Sequence, residues 1–248
     1  TKICEMDSCS PFIESLRVLR NLINFNSSKP IRILAVTSPS NDEGKSTISV
    51  GLAVTMAMAG KKVLVVDCDL RRPILRRQLG ESSSTGFTSL VNRSSDIKNA
   101  IQPTSIERLF CLPSGPLPKN PSEFLDSPEC REMLKKLAKD YDLLILDCPP
   151  CVGLSDVQVI STIADGVLLV VAANKTELPD FYSALKTLGQ VNAPFIGTVI
   201  NKSNMDWGNY SYYKYHGSSD ASDKCEDKQL RGKSNRERAS TLLDSQQR

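Results

Sequence analysis

Gly44-Lys45-Ser46-Thr47 follows an apolar run, Ile33-Leu-Ala-Val36, and a polar loop, Ser38-Pro-Ser-Asn-Asp-Glu43, and it opens a stretch of helix-forming residues. A bound triphosphate needs this order. Amides at a helix N-terminus point at the phosphates, and the helix dipole favours their negative charge. In such a site Lys45 reaches the β- and γ-phosphates and the Ser46 hydroxyl sits on Mg²⁺. A Gly-Lys-Ser triplet alone is weak evidence, so the carboxylates elsewhere decide the matter.

Two further apolar runs end in acidic residues. Val63-Leu-Val-Val66 leads into Asp67-Cys68-Asp69-Leu-Arg71-Arg72-Pro73. Alternation along a continuing strand places Asp67 and Asp69 on one face, from which one manages Mg²⁺ and one takes a hydroxyl proton. The plainer alternative is an Asp pair capping the next helix, with Arg71 and Arg72 in solvent. Leu143-Leu-Ile-Leu146 leads into Asp147-Cys-Pro-Pro150. A buried strand delivering one carboxylate to a metal is the Walker B arrangement. Three such motifs, in this order on separate strands, form a nucleotide constellation.

The elements that must position them follow from apolar patterning. Six short runs read as strands: Ile31–Val36, Val63–Val66, Leu109–Leu112, Leu143–Leu146, Val167–Ala172 and Phe195–Ile200. Their near-continuous apolar character suits strands covered on both faces. Ser46–Ala59 reads as a helix closed by Gly60. The fold expected is α/β: a P-loop NTPase with a mostly parallel, doubly wound sheet and helices on both faces. Ligands of such sheets bind at the carboxyl ends of the strands, where all three motifs lie. Residues 10–25 read as an amphipathic helix with a stripe of Phe12, Leu16, Leu19 and Ile23. Domain boundaries are set at 1–216 for the catalytic domain and 217–248 for a polar tail read as disordered.

Composition narrows the alternatives. The net charge of +3 gives no case for nucleic acid. The eight cysteines show no ladder of spacings, so reduced thiols are expected. Cys148-Pro-Pro-Cys151 has a redox-like spacing but ends a strand, which argues against redox chemistry. A single histidine leaves no His-based metal site. No apolar run approaches the ~18 residues a membrane span requires. Four of the six tyrosines, Tyr210, Tyr212, Tyr213 and Tyr215, crowd the segment 207–216 after the last strand. A base-stacking patch or a core edge is the alternative; aromatic hydroxyls leading into a polar tail suit phosphoacceptors better.

Together these residues resemble the bacterial tyrosine kinases of capsule and exopolysaccharide systems, from about Ser10 to Tyr215. Glu14-x-x-Arg17-x-x-Arg20 resembles the family's ring-assembly motif. Asp67-Cys-Asp69-Leu-Arg-Arg-Pro resembles its second acidic motif. Gly115-Pro-Leu-Pro-Lys119-Asn120-Pro121-Ser-Glu123 and Asp147-Cys-Pro-Pro, with Ser155-Asp156 beyond, resemble further family stretches. Asn41-Asp42 stands where the family usually has Pro-Gly, and Lys119 where it has proline. Asn and Asp tolerate left-handed backbone, so closure of the loop is still expected.

The resemblance implies an ATP-dependent protein-tyrosine autokinase using ATP and Mg²⁺. Glu43, Gly44, Lys45, Ser46, Thr47 and Asn201 would bind ATP, with Asn201 near the adenine. Ser46, Asp67 and Asp147 would hold Mg²⁺. Lys45, Asp67 and Asp69 would be catalytic, with Asp67 as base. The four tyrosines would accept phosphate from a neighbour in a ring of copies assembled through Glu14, Arg17 and Arg20. A membrane adaptor or polysaccharide co-polymerase segment and a tyrosine phosphatase would be partners, at the cytoplasmic face of the membrane. Two rivals remain. One is a partitioning or cell-division switch ATPase, which usually carries a lysine at the position of Ser40. The other is a weakly active ATP-binding regulator, motivated by Asn41-Asp42.

Overall fold

The computed structural model describes residues 10–26, 30–75 and 85–203. The tyrosine cluster and the segment 217–248, on which acceptor and tail expectations were placed, lie outside the described residues.

Seven strands form one sheet in the order β3-β4-β2-β5-β1-β6-β7. They are β1 (Ile33–Thr37), β2 (Val63–Asp67), β3 (Gln102–Pro103), β4 (Leu109–Leu112), β5 (Leu143–Asp147), β6 (Gly166–Ala172) and β7 (Phe195–Asn201). All pairings are parallel except β3 with β4. The expected mostly parallel α/β sheet is therefore present, with one addition. Two-residue β3 is too short to leave a periodic trace in the sequence.

Eight helices are described: α1 (Pro11–Asn26), α2 (Lys45–Met58), α3 (Phe87–Val91), α4 (Ile97–Ala100), α5 (Pro121–Asp126), α6 (Pro128–Asp140), α7 (Asp156–Ser161) and α8 (Leu178–Gln190). Every residue of β1, β2 and β5 is buried, and alternate side chains supply two separate cores. Leu34, Val36, Val63, Val65 and Ile145 pack with α1 and α2. Leu64, Val66, Leu144 and Leu146 pack with residues of α3 to α8 on the opposite face. Burial on both faces is why these strands read as unbroken apolar runs.

Local chemistry sets the element ends. β1 starts later than the apolar run because one Asp165 carboxylate oxygen accepts the Arg32 and Ile33 amides, at 2.9 and 2.8 Å. Gly60, at φ 90°, closes α2 as expected: its amide donates to the Ala57 carbonyl and that of Lys61 to Met56. α1 lies against α2 through Ile13, Leu16 and Ile23. A Cβ on Gly51 would come within 2.5 Å of Leu16 Cδ1, so a larger residue there would push that side chain aside.

Candidate functional site

β1, β2 and β5 are neighbours, and their carboxyl ends converge on the start of α2. Gly44 caps α2 at φ 96° with no side-chain hydrogen bond. The first-turn amides of a helix have no intrahelical acceptors, so this uncapped end is ready for an anion. Asp42 adopts φ 60°, as a loop closed without glycine at that position requires, and its side chain is exposed.

The acidic residues meet through the strand ladder. Asp67 and Asp147 are register partners at the ends of β2 and β5. Asp67 Oδ2 accepts the Leu75 amide at 3.1 Å, and Asp147 Oδ1 accepts the Ser49 hydroxyl at 3.2 Å. The remaining oxygens, Asp67 Oδ1 and Asp147 Oδ2, are buried and make no well-formed hydrogen bond, and neither does the Ser46 hydroxyl; Ser46 nevertheless lies close enough to Asp147 to favour its charged form. Buried polar atoms are normally satisfied, so three orphaned oxygens mark a place for a missing group. An oxygen donor set of two carboxylates and one hydroxyl fits a hard divalent cation such as Mg²⁺ that keeps some of its waters.

Electrostatics agree with that assignment. Burial raises the Asp147 carboxyl to about 6, although Lys45 pulls it down. Burial, then the facing Asp147, raise Asp67 well above the usual carboxylate range. Both groups ionise less readily than an ordinary carboxylate, and a cation sharing the site would favour their charged forms. Lys45 Nζ lies 2.9 Å from Asp69 Oδ2. Burial lowers the Lys45 ammonium, but Asp147, Asp69 and Asp67 outweigh it and hold the group charged above its ordinary range. Asp69 also accepts the Arg72 amide at 2.9 Å. Asp69 is thus an ion-pair partner of Lys45 and the anchor of the turn that follows.

The other sequence-predicted residues fall as follows. Thr47 lies in the first turn of α2. Glu43 is buried, and its carboxylate is turned to the Ser40 amide, at 2.7 Å, and the Thr176 hydroxyl. It braces the loop with its side chain. Asn201 Nδ2 donates to the Glu43 carbonyl at 2.9 Å, which places it beside Gly44. Glu14 and Arg17 pair with each other at 2.8 Å on α1, away from the strand ends. Arg20 donates to the Thr55 carbonyl at 3.0 Å, near the end of α2. Cys148 and Cys151 are free and buried; burial raises Cys148 well above the usual thiol range and Cys151 to about 12. Burial of this kind disfavours the reactive thiolate.

Two sets of residues were not read from the sequence. Arg71 makes two bonds to the buried Asp156, Nε–Oδ2 at 2.8 Å and Nη2–Oδ1 at 3.1 Å. Ser122 donates to the same carboxylate. Burial would raise Asp156, but Arg71 and Ser122 hold it below the ordinary carboxylate range. This clamp ties the chain beyond Asp69 to the starts of α5 and α7, so Arg71, although exposed, is a paired charge with a structural role. The second set, Lys175 and Lys202, donates to the Asn41 and Asp42 carbonyls at 2.8 and 2.6 Å.

A phosphate-loop helix start, a lysine and orphaned oxygens at the ends of adjacent parallel strands define a P-loop nucleotide enzyme. Residues 31–197 match the AAA domain family. The tyrosine-protein kinase YwqD of Bacillus subtilis is 34% identical over 208 residues, covering 84% of this chain and 87% of that relative. Among solved structures, the chimerical protein CapA2B2 has a TM-score of 0.79 at 31% identity, covering 82% of this chain and 89% of its own. The kinase domain of the Escherichia coli tyrosine kinase ETK has a TM-score of 0.75 at 27% identity, covering 83% and 84%. The chain belongs to the bacterial tyrosine kinases of capsule and exopolysaccharide systems, and it is an enzyme of the protein-tyrosine kinase class.

Proposed function

We propose that this chain is an ATP-dependent autokinase that phosphorylates clustered tyrosines of its own kind and so regulates polymerisation and export of a capsular or exopolysaccharide. The observation that carries the reading is the trio of orphaned oxygens, Ser46 Oγ, Asp67 Oδ1 and Asp147 Oδ2. Those three atoms would hold Mg²⁺, which when bound neutralises charge on the phosphates. Lys45 and the amides from Glu43 to Thr47 would grip the triphosphate, and Asn201 would approach the adenine. Asp67 would take the tyrosine proton; Asp69 keeps Lys45 in place. Catalysis is then positioning and charge stabilisation.

Tyr210, Tyr212, Tyr213 and Tyr215 are the proposed acceptors, supplied by a neighbour in a ring built through α1. Each phosphate adds about −1.5 to −2 charges, and their repulsion favours disassembly. Among the described residues no helix is long and apolar enough to cross a membrane. A membrane adaptor or fused segment would hold the kinase at the inner face, and a tyrosine phosphatase would reset it.

The test is incubation with Mg-ATP followed by phosphotyrosine detection. Lys45→Met and a variant with the four tyrosines changed to Phe run alongside. Signal in the parent alone supports the reading. Hydrolysis without phosphotyrosine favours a switch ATPase, although the position of its signature lysine is Ser40. Binding without either reaction favours a regulator.

A further inference from the structure

Residues 40–43 of the phosphate loop are held from outside by side chains of two other elements. Lys175 Nζ donates to the Asn41 carbonyl at 2.8 Å, Lys202 Nζ to the Asp42 carbonyl at 2.6 Å and Asn201 Nδ2 to the Glu43 carbonyl at 2.9 Å. Lys175 lies in the turn between β6 and α8, and Lys202 directly follows β7. Three successive carbonyls are thus captured by three separate donors. Thr176 adds a bond to the Glu43 carboxylate.

A planar trans peptide points its carbonyl and the next amide in opposite directions. Fixing the carbonyls of residues 41, 42 and 43 therefore fixes the direction of the amides of Asp42, Glu43 and Gly44. Those amides, with the first turn of α2, are the groups that cradle phosphate. Asp tolerates the left-handed region in which Asp42 sits, at φ 60°. That tolerance permits the turn but does not set the direction of the neighbouring carbonyls, which the three donors do. Both lysines are exposed, so neither fills the core.

We propose that Lys175 and Lys202 are positioning residues that latch the phosphate loop in its nucleotide-binding shape. The proposal rests on the loop being a nucleotide site and is independent of what receives the phosphate.

The experiment measures Mg-ADP affinity by calorimetry on the full chain, with apo melting temperature alongside. The variants are Lys175→Met, Lys202→Met, the double Met variant and the double Arg variant. Each single Met change is expected to weaken binding about fivefold, as it would if the freed loop held its binding shape about a fifth of the time. The double change weakens it about 25-fold if the bonds act independently. Arg, which can also donate to a carbonyl, restores most of the affinity. The apo melting temperature stays put, and the deficit persists at about 1 M salt, where the screening length is ~3 Å. A deficit that vanishes in high salt would mean long-range attraction only and would overturn the latch. So would an unchanged affinity in the double Met variant, or a melting temperature that falls in step with affinity. A parent that binds no nucleotide overturns it together with the nucleotide site. Because the readout is affinity, a parent that binds Mg-ADP but forms no phosphotyrosine counts against the kinase reading alone.

Discussion

Asp67 and Asp147 stand opposite each other as register partners on adjacent parallel strands, each with one carboxylate oxygen buried and unpartnered. Two like charges in one dry site oppose each other, and the sheet holds them there regardless. A cation bound there would offset that opposition, so the pair would cost the empty protein stability and favour the loaded one.

Asp147→Asn should separate those two roles. The amide keeps an acceptor for Ser49 and removes a buried charge. The empty protein is expected to melt higher than the parent, while magnesium-dependent nucleotide affinity and phosphotyrosine formation disappear. Thermal melting and calorimetry check both halves; a variant that melts lower and still binds magnesium would refute the assignment.

The same residue gives a pH dependence with a definite sign. Asp147 ionises near 6 when folded, against ~3.9 in an unfolded chain. Between those values the folded state holds more protons, so this group's contribution to stability falls as pH rises from about 4 to 6 and is fully lost above that. Magnesium competes with the proton, so its binding weakens as pH falls through about 6. Melting curves of the empty parent and of Asp147→Asn, compared point by point, isolate the contribution. Parallel curves would contradict it.

Lys45 and Asp69 form a pair that is almost fully enclosed, their side chains 12% and 3% exposed. Lys45→Met leaves Asp69 buried without its cation, which is expected to cost about 3–5 kcal/mol as well as activity. Adding Asp69→Asn removes the stranded charge. The double variant should regain much of the lost stability and none of the kinase activity. Chemical denaturation of all four proteins in the cycle measures this; additive losses would show that the two residues do not act as a pair.

What the sequence revealed and what it hid follow a physical divide. β1, β2, β5 and α2 were legible because burial on both sheet faces writes unbroken apolar runs, and because Gly60 has to close α2. Asp67 and Asp147 were legible as the polar residues that interrupt those runs. The Arg71 clamp was not, since its partners Ser122 and Asp156 lie 51 and 85 residues away and share no local period with it. The same holds for Lys175 and Lys202, 134 and 160 residues from the carbonyls they meet. Asp69 was readable as an acidic site residue, yet its engagement with Lys45 and the Arg72 amide depends on the turn after β2.

Arg17 and Arg20 share one motif but have different surroundings, which makes their contributions to assembly separable. Among the described residues Arg17 pairs with Glu14 three residues away, on a partly exposed helix face, a bond worth little to stability. Arg20 reaches across to the Thr55 carbonyl, in the last turn of α2, where a cation meets the negative end of the helix dipole. Arg17→Ala is expected to leave melting unchanged and to shrink the particle in light scattering, if α1 assembles the ring. Arg20→Ala should shrink it too, and should also cost about 0.5–1 kcal/mol because the C-terminal end of α2 loses a cation. An unchanged mass in both variants would remove the ring from the proposal. A stability loss confined to Arg20→Ala would still identify that residue as the strut between α1 and α2.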